Sequence, residues 1–307
     1  MPRSTLQRVH MLASIAALLA AVPLGAANKT IDRMQENVLR MTEFFDTMLP
    51  GVLEENNMTV HFRPKLGDLR DEEYMRLPFE LRYGLTSRWE LYGGLTPFVP
   101  NPWNSGRDHR WGPGEIKFGA RHDVGAILNF FDESTVGVET RVPWGKPPVE
   151  LNDHYTHVKP YVSVARTLVR LPSATFYANV SYDRSVKLVR REAPPPEVIR
   201  RHIIEVAPGL LYRPSEFGYF AEYRFRHIAH EHDWRLGHEI QFGTIWDIPI
   251  ARTEKWNLPG KWQLELAYKL GHEEGGDFDQ GVSARVNWRT TLREVLAKTS
   301  GPFSKLW

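Results

Sequence analysis

Between Met58 and Arg289 the chain repeats one pattern: segments in which apolar side chains alternate with polar or charged ones, each closed by a turn. Trp89, Leu91, Gly93 and Leu95 alternate with Glu90, Tyr92, Gly94 and Thr96, and Ile116, Phe118 and Ala120 alternate with Glu115, Lys117, Gly119 and Arg121. Val136, Val138 and Val142 stand against Glu139 and Arg141, and Trp262, Leu264, Leu266 and Tyr268 against Gln263, Glu265, Ala267 and Lys269. Successive side chains of a strand point to opposite faces, so each segment has one apolar and one ionic face. The strands expected from this are 58–65, 74–84, 88–97, 114–122, 134–142, 157–168, 173–184, 202–213, 217–227, 235–248, 261–271 and 280–289.

A repeat of this kind behind an export leader predicts an all-β protein: a closed antiparallel transmembrane β-barrel of about 12 strands, with 10–14 as the range. Alternation alone leaves open which face points outward, since a water-soluble barrel shows it inverted. Size favours apolar-out. About eight strands already give an interior that side chains just fill, so about twelve with an apolar interior would enclose an empty greasy cavity. Tyr83, Trp89, Phe98, Trp144, Tyr182, Tyr212, Trp246, Trp262 and Trp288 lie near expected strand ends, as interfacial girdles require. Connections after even-numbered strands include the tight 85–87, 169–172 and 214–216, whereas long ones start at Phe98, Pro143 and Ser185. Short turns inside and long loops outside put both termini in the periplasm; 123–133 and 249–260 are longer than that scheme expects.

The leader is residues 1–27: Arg3 and Arg8, an apolar run from Met11 to Val22, then Gly25, Ala26 and Ala27 as small residues for cleavage. Residues 28–57 form an N-terminal segment. Ile31, Met34, Val38, Met41, Phe45 and Met48 recur at helical spacing up to Pro50-Gly51, which predicts an amphipathic helix residing in the periplasm rather than plugging the lumen. The barrel proper is 58–289. Residues 290–307 form a periplasmic tail in which Leu292, Val295 and Leu296 mark a second helix.

Export makes the composition informative. The absence of cysteine excludes disulfides, thiolate metal sites and a lipidated N-terminal cysteine. The 39 basic residues less Arg3 and Arg8 leave 37 against 37 acidic ones, a balance that gives no ground for nucleic-acid binding. With apolar side chains on lipid, the lumen receives Glu90, Glu115, Lys117, Arg121, Glu139, Arg141, Glu222, Arg224, Glu239, Glu265, Lys269 and Arg285, joined by Glu80, Arg82, Lys159 and Glu205. Opposite signs on neighbouring strands predict cross-strand ion pairs, which can ring a water-filled eyelet or tie the lumen shut. Mixed signs argue against strong ion selectivity.

Two outer-loop groups carry other chemistry. His227, His230 and His232 could hold a transition metal, although their spacing matches no standard motif. Arg190, Arg191, Arg200 and Arg201 bracket Pro194–Pro196 and suit lipopolysaccharide phosphates, against the plainer reading of a solvated loop. No cofactor is expected. Ser163 and Ser181 have no evident histidine partner, so no enzyme is expected; a lipid-acting barrel enzyme and a non-conducting structural barrel stand as the alternatives to a conduit.

The run from Leu81 to Leu91, with Tyr83-Gly84-Leu85-Thr86 at its turn, followed by Gly112 to Arg121, resembles the outer-membrane transporters named for the meta-pathway of phenol degradation. Asp279 to Trp288 resembles the last-strand signal read by the barrel-assembly machinery, displaced here from the chain end. The resemblance implies passive transport of small solutes, often aromatic or hydrophobic, and names no catalytic residue.

Overall fold

The computed structural model describes residues 43–44, 47–66, 74–101, 110–127, 130–145, 154–188, 201–229, 233–256, 258–274 and 278–291. The alternating segments form twelve strands: β1 (Asn57–Phe62, continued by Lys65–Leu66), β2 (Tyr74–Arg76, continued by Phe79–Gly84), β3 (Trp89–Pro100), β4 (Gly112–Asp123), β5 (Glu133–Pro143) and β6 (Tyr155–Leu168), then β7 (Leu171–Leu188), β8 (His202–Tyr212), β9 (Phe217–Ala229), β10 (Trp234–Ile248), β11 (Lys261–Glu273) and β12 (Phe278–Thr291). Each pairs antiparallel with the next, and β12 returns to β1 through Val286↔Phe62, Trp288↔Val60 and Val282↔Leu66. The sheet is closed. Closure removes the unpaired edge that would be untenable in lipid.

The distribution of side chains is that of a membrane barrel. Leu81, Leu91, Phe118, Val138, Val162, Val180, Ile204, Ile240, Phe242 and Leu266 are exposed on the outer wall, while Arg82, Glu90, Arg121, Glu222, Arg224, Glu265 and Arg285 are buried inside. A protein folded for water would show the reverse. Among the described residues no helix is long and apolar enough to cross a membrane. The strands do the crossing.

Connections 85–88, 169–170 and 213–216 make tight turns at one end, the end expected to face the periplasm. The longer 249–260 connection at that end folds a short helix, α1 (Ile250–Lys255), and its Pro259 carbonyl accepts from the indoles of both Trp262 and Trp288. Trp89, Trp246, Trp262 and Trp288 lie at this rim and Tyr182 at the other. Phe98 departs from the girdle expectation: it shares the parity of the inward-facing Glu90 and Tyr92 and is buried edge-on against Tyr74 at 5.7 Å.

Prolines break the ladder on the β1–β3 side. Pro64 and Pro78 interrupt β1 and β2, and Pro97 in β3 faces Pro113 in β4. A proline has no N–H to donate, so pairing continues around these positions through Arg63 N to Pro78 O and Leu77 N to Pro97 O, both 2.9 Å.

The largest departure concerns the N-terminal segment. Its described part contains a two-residue hairpin, Glu43–Phe44 with Thr47–Met48, and residues 47–53 lie buried within the barrel, not in the periplasm. The rest of the expected helix lies outside the described residues. So do Leu292, Val295 and Leu296 of the tail, while β12 runs on to Thr291.

Candidate functional site

The site is the lumen, which three layers of chemistry fill. The first is a belt of ion pairs. Arg82 bonds Glu80 at 2.5 Å and Glu90 at 3.0 Å, and Arg121 approaches Glu90 at 3.3 Å. Lys117 joins Glu80 to Glu139, and Arg141 joins Glu139 to Asp183, which His157 also meets at 2.8 Å. Lys159 reaches Glu205 at 3.3 Å. Arg224 spans Glu205, Glu222 and Glu239, while Arg226 and Lys269 approach Glu239 at 2.6 and 3.9 Å. Arg285 meets Glu265 and His61, and His61 stands opposite Glu80 in the β1–β2 ladder, so the belt comes full circle. A buried guanidinium is tolerable only where several acceptors replace its water: Arg82 and Arg224 are shared among carboxylates, Arg121 adds backbone carbonyls to Glu90, and Arg285 adds His61 to Glu265.

Eleven of the twelve lumen residues expected from sequence parity lie in this belt. The twelfth, Glu115, is half-buried on the same face of β4. The pairs follow from register: oppositely charged side chains such as Glu239 and Arg224 are direct cross-strand partners.

The second layer is aromatic and was not anticipated. Tyr92, Tyr161, Tyr177 and Phe220 occupy lumen-facing positions, and each pairs directly with a glycine of a neighbouring strand: Gly119, Gly137, Gly209 and Gly243. A methyl group on any of the four would stand 2.3–2.7 Å from the ring, so glycine is what lets each ring lie flat on the wall. The signal was present in the sequence, as aromatic residues in the polar phase of a strand opposite a glycine in the same phase.

The third layer is the chain's own N-terminal segment, which crosses the lumen. Asn56, at φ 61°, turns the chain beside Gly84, where any side chain would collide with the Glu54 carbonyl. Going inward, the Leu53 amide donates to Glu90 Oε2 at 2.7 Å and the Gly51 amide to Thr135 Oγ1 at 2.6 Å. Arg121 donates to the carbonyls of Leu49, at 3.3 Å, and Gly51. Met48 O accepts from Ser163 Oγ at 2.6 Å and Asn179 Nδ2 at 3.2 Å. Thr47 Oγ1 donates to Glu222 at 2.7 Å and accepts from Arg224 at 2.9 Å. The contacts move from β3 to β9, so the segment lies across the bore. Leu49 packs on Ala165, Tyr177, Phe220, Ile245 and Ala267, and Met48 on Tyr92 and Tyr161. These apolar seats are why the lumen is less uniformly wet than alternation suggested. Gly51 has φ 92°, so the backbone turn there favours glycine.

The other candidate residues are not assembled into sites. His227 stacks on Trp234 at 4.5 Å, His230 and His232 lie outside the described residues, and no metal-binding cluster occurs among the described ones. Arg201 lies over the Tyr155 ring at 5.0 Å, whereas Arg190, Arg191 and Arg200 lie outside the described residues. Ser163 is engaged by Met48 and Asn179.

No protein-family model matches this chain, and no curated protein matches it. Among solved structures, an outer membrane channel from Pseudomonas putida F1 is similar over 78% of this chain and 97% of its own, with a TM-score of 0.54 and 10% identity. The KdgM porin matches over 75% of this chain and 98% of its own at 7% identity and TM-score 0.42. The CymD monoaromatic hydrocarbon channel matches over 78% and 89% at 8% identity and TM-score 0.39. At 10% identity the likeness to the Pseudomonas putida channel is one of fold alone, that of the outer-membrane barrel.

Proposed function

We propose that this chain is a gated conduit for small solutes in a bacterial outer membrane, with residues 47–53 as the gate. The observation that carries the reading is the way the segment is held. It is bound by side-chain hydrogen bonds and a few apolar seats, with no ladder pairing to the wall among the described residues, so it can leave without breaking the barrel. Behind it the wall remains a closed cylinder lined with ionic groups that water can hydrate. The chemistry present is that of selection and passage, and the reading assigns no bond-making step. The expected cleaved leader, barrel-assembly machinery and lipopolysaccharide belong to the same proposal, as does a place among the transporters named for the meta-pathway of phenol degradation.

Planar-bilayer recording of the full chain tests it. The expected record is mostly silent, with brief openings of one amplitude, because the docked state dominates. A large, permanently open conductance would refute the gate; silence that persists in variants with a loosened segment would refute the conduit.

A further inference from the structure

The ion-pair belt sets nine basic side chains against eight carboxylates, and it is not symmetrical towards water. In the part of the lumen beyond the segment, Lys117, Arg141, Lys159, Arg226 and Lys269 keep 13–30% of their side-chain surface accessible. Their partners Glu80, Glu139, Asp183, Glu205 and Glu239 keep only 3–10%. In each of these pairs the cation is the more accessible member. Long basic side chains extend beyond the shorter acids that anchor them, so of each pair the basic member is the one that water reaches more. A ring of ion pairs so oriented acts as a layer of dipoles with positive ends towards the solute. Glu115 and Glu273, half-buried carboxylates at lumen-facing positions nearer the rim, are each engaged by partners of their own.

From this we infer that the outer vestibule is a binding site for small anionic solutes, carboxylates above all, which guanidinium and ammonium groups recognise by charge-assisted hydrogen bonds. Balanced composition therefore does not translate into indifference to charge. The inference names a solute class for the proposed conduit and rests on that reading only for its biological sense, because binding in the vestibule requires no passage.

The test compares three probes of similar length on the full-length chain in detergent: succinate, its neutral diamide and 1,4-diaminobutane, with binding followed by calorimetry at low ionic strength. Succinate binds at least about tenfold more tightly than the diamide, and 1,4-diaminobutane binds most weakly. Each of Lys159→Gln and Arg226→Gln weakens succinate by about threefold, the Coulomb interaction of unit charges about 6 Å apart in water. Raising salt to about 1 M removes the preference. Equal binding of succinate and diamide, or tighter binding of the diamine, overturns the inference on the unmodified protein, whatever the variants do. Succinate binding by a chain that never conducts would sustain the anionic vestibule and defeat the conduit; conductance without preference for succinate would do the opposite.

Discussion

Replacing Arg121 by Met removes the guanidinium that ties two carbonyls of the intralumenal segment to the wall. Arg121 is fully buried and donates to Leu49 O at 3.3 Å and to Gly51 O. Methionine retains the length of the stem. Glu90 keeps Arg82 at 3.0 Å and the Leu53 amide at 2.7 Å, so no buried carboxylate is left alone. Hydrogen bonds to a charged group contribute about 1.5–3 kcal/mol each, and water entering beside the smaller side chain recovers part of that. The net loss of docking free energy is then about 2 kcal/mol, or about a 30-fold rise in the undocked fraction. Because the chain has no cysteine, Met48→Cys supplies a single thiol at a buried position beside Arg82 and reports undocking through its rate of reaction with a charged, water-soluble maleimide. Labelling is expected to run about 30-fold faster in the Arg121→Met background, with Arg121→Lys between the two. Unheated electrophoretic mobility checks that the barrel is intact. Equal labelling rates in both backgrounds, with the barrel intact, would refute the view that Arg121 holds the gate.

Leu49→Ala is expected to cost docking about 2–4 kcal/mol by emptying the seat between Tyr177 and Ile245; it should speed the same labelling without lowering the urea midpoint of the barrel. Gly209→Ala puts a methyl 2.3 Å from Tyr177 Cζ, and equilibrium unfolding in lipid vesicles should show a loss of about 1–3 kcal/mol. That loss should shrink when Tyr177 is also made Leu, since the two residues share one contact. Phe242→Arg faces lipid and should destabilise by about 2–4 kcal/mol near midplane, whereas Gln241→Arg, one residue away on the lumen face, should cost far less. Similar costs for the two would contradict the assignment of faces.

The barrel was legible because its rule is simple: Leu264, Glu265, Leu266 and Ala267 announce their faces by parity, and strand bounds fell close to those read from turns. Parity also selected the ionic wall, since Glu239 and Arg224 could be placed inward before their register was known. The gate was hidden because Thr47 to Leu53 has no period of its own; a short apolar run ending in Pro-Gly-Val-Leu reads equally well as the end of the helix suggested by Ile31 to Met48. What holds it there is long-range, such as Asn179 reaching Met48 across 131 positions of sequence, and local pattern carries no trace of such pairs. The interruptions of β1 and β2 went unread, since the expected strands 58–65 and 74–84 run straight through Pro64 and Pro78, prolines that leave the alternation of their neighbours intact. The asymmetry of the belt was not visible at all, because composition counts charges and cannot weigh how far each reaches into water.

The claim that the segment closes the bore is tested most directly by locking it. Leu49 and Ala165 lie in one buried apolar cluster, so Leu49→Cys with Ala165→Cys brings two thiols together in an otherwise cysteine-free chain. Liposomes carrying this double variant should be impermeable to small solutes when oxidised and become permeable on reduction, within minutes and reversibly. Equal permeability in the two states would mean that solutes do not pass where the segment lies.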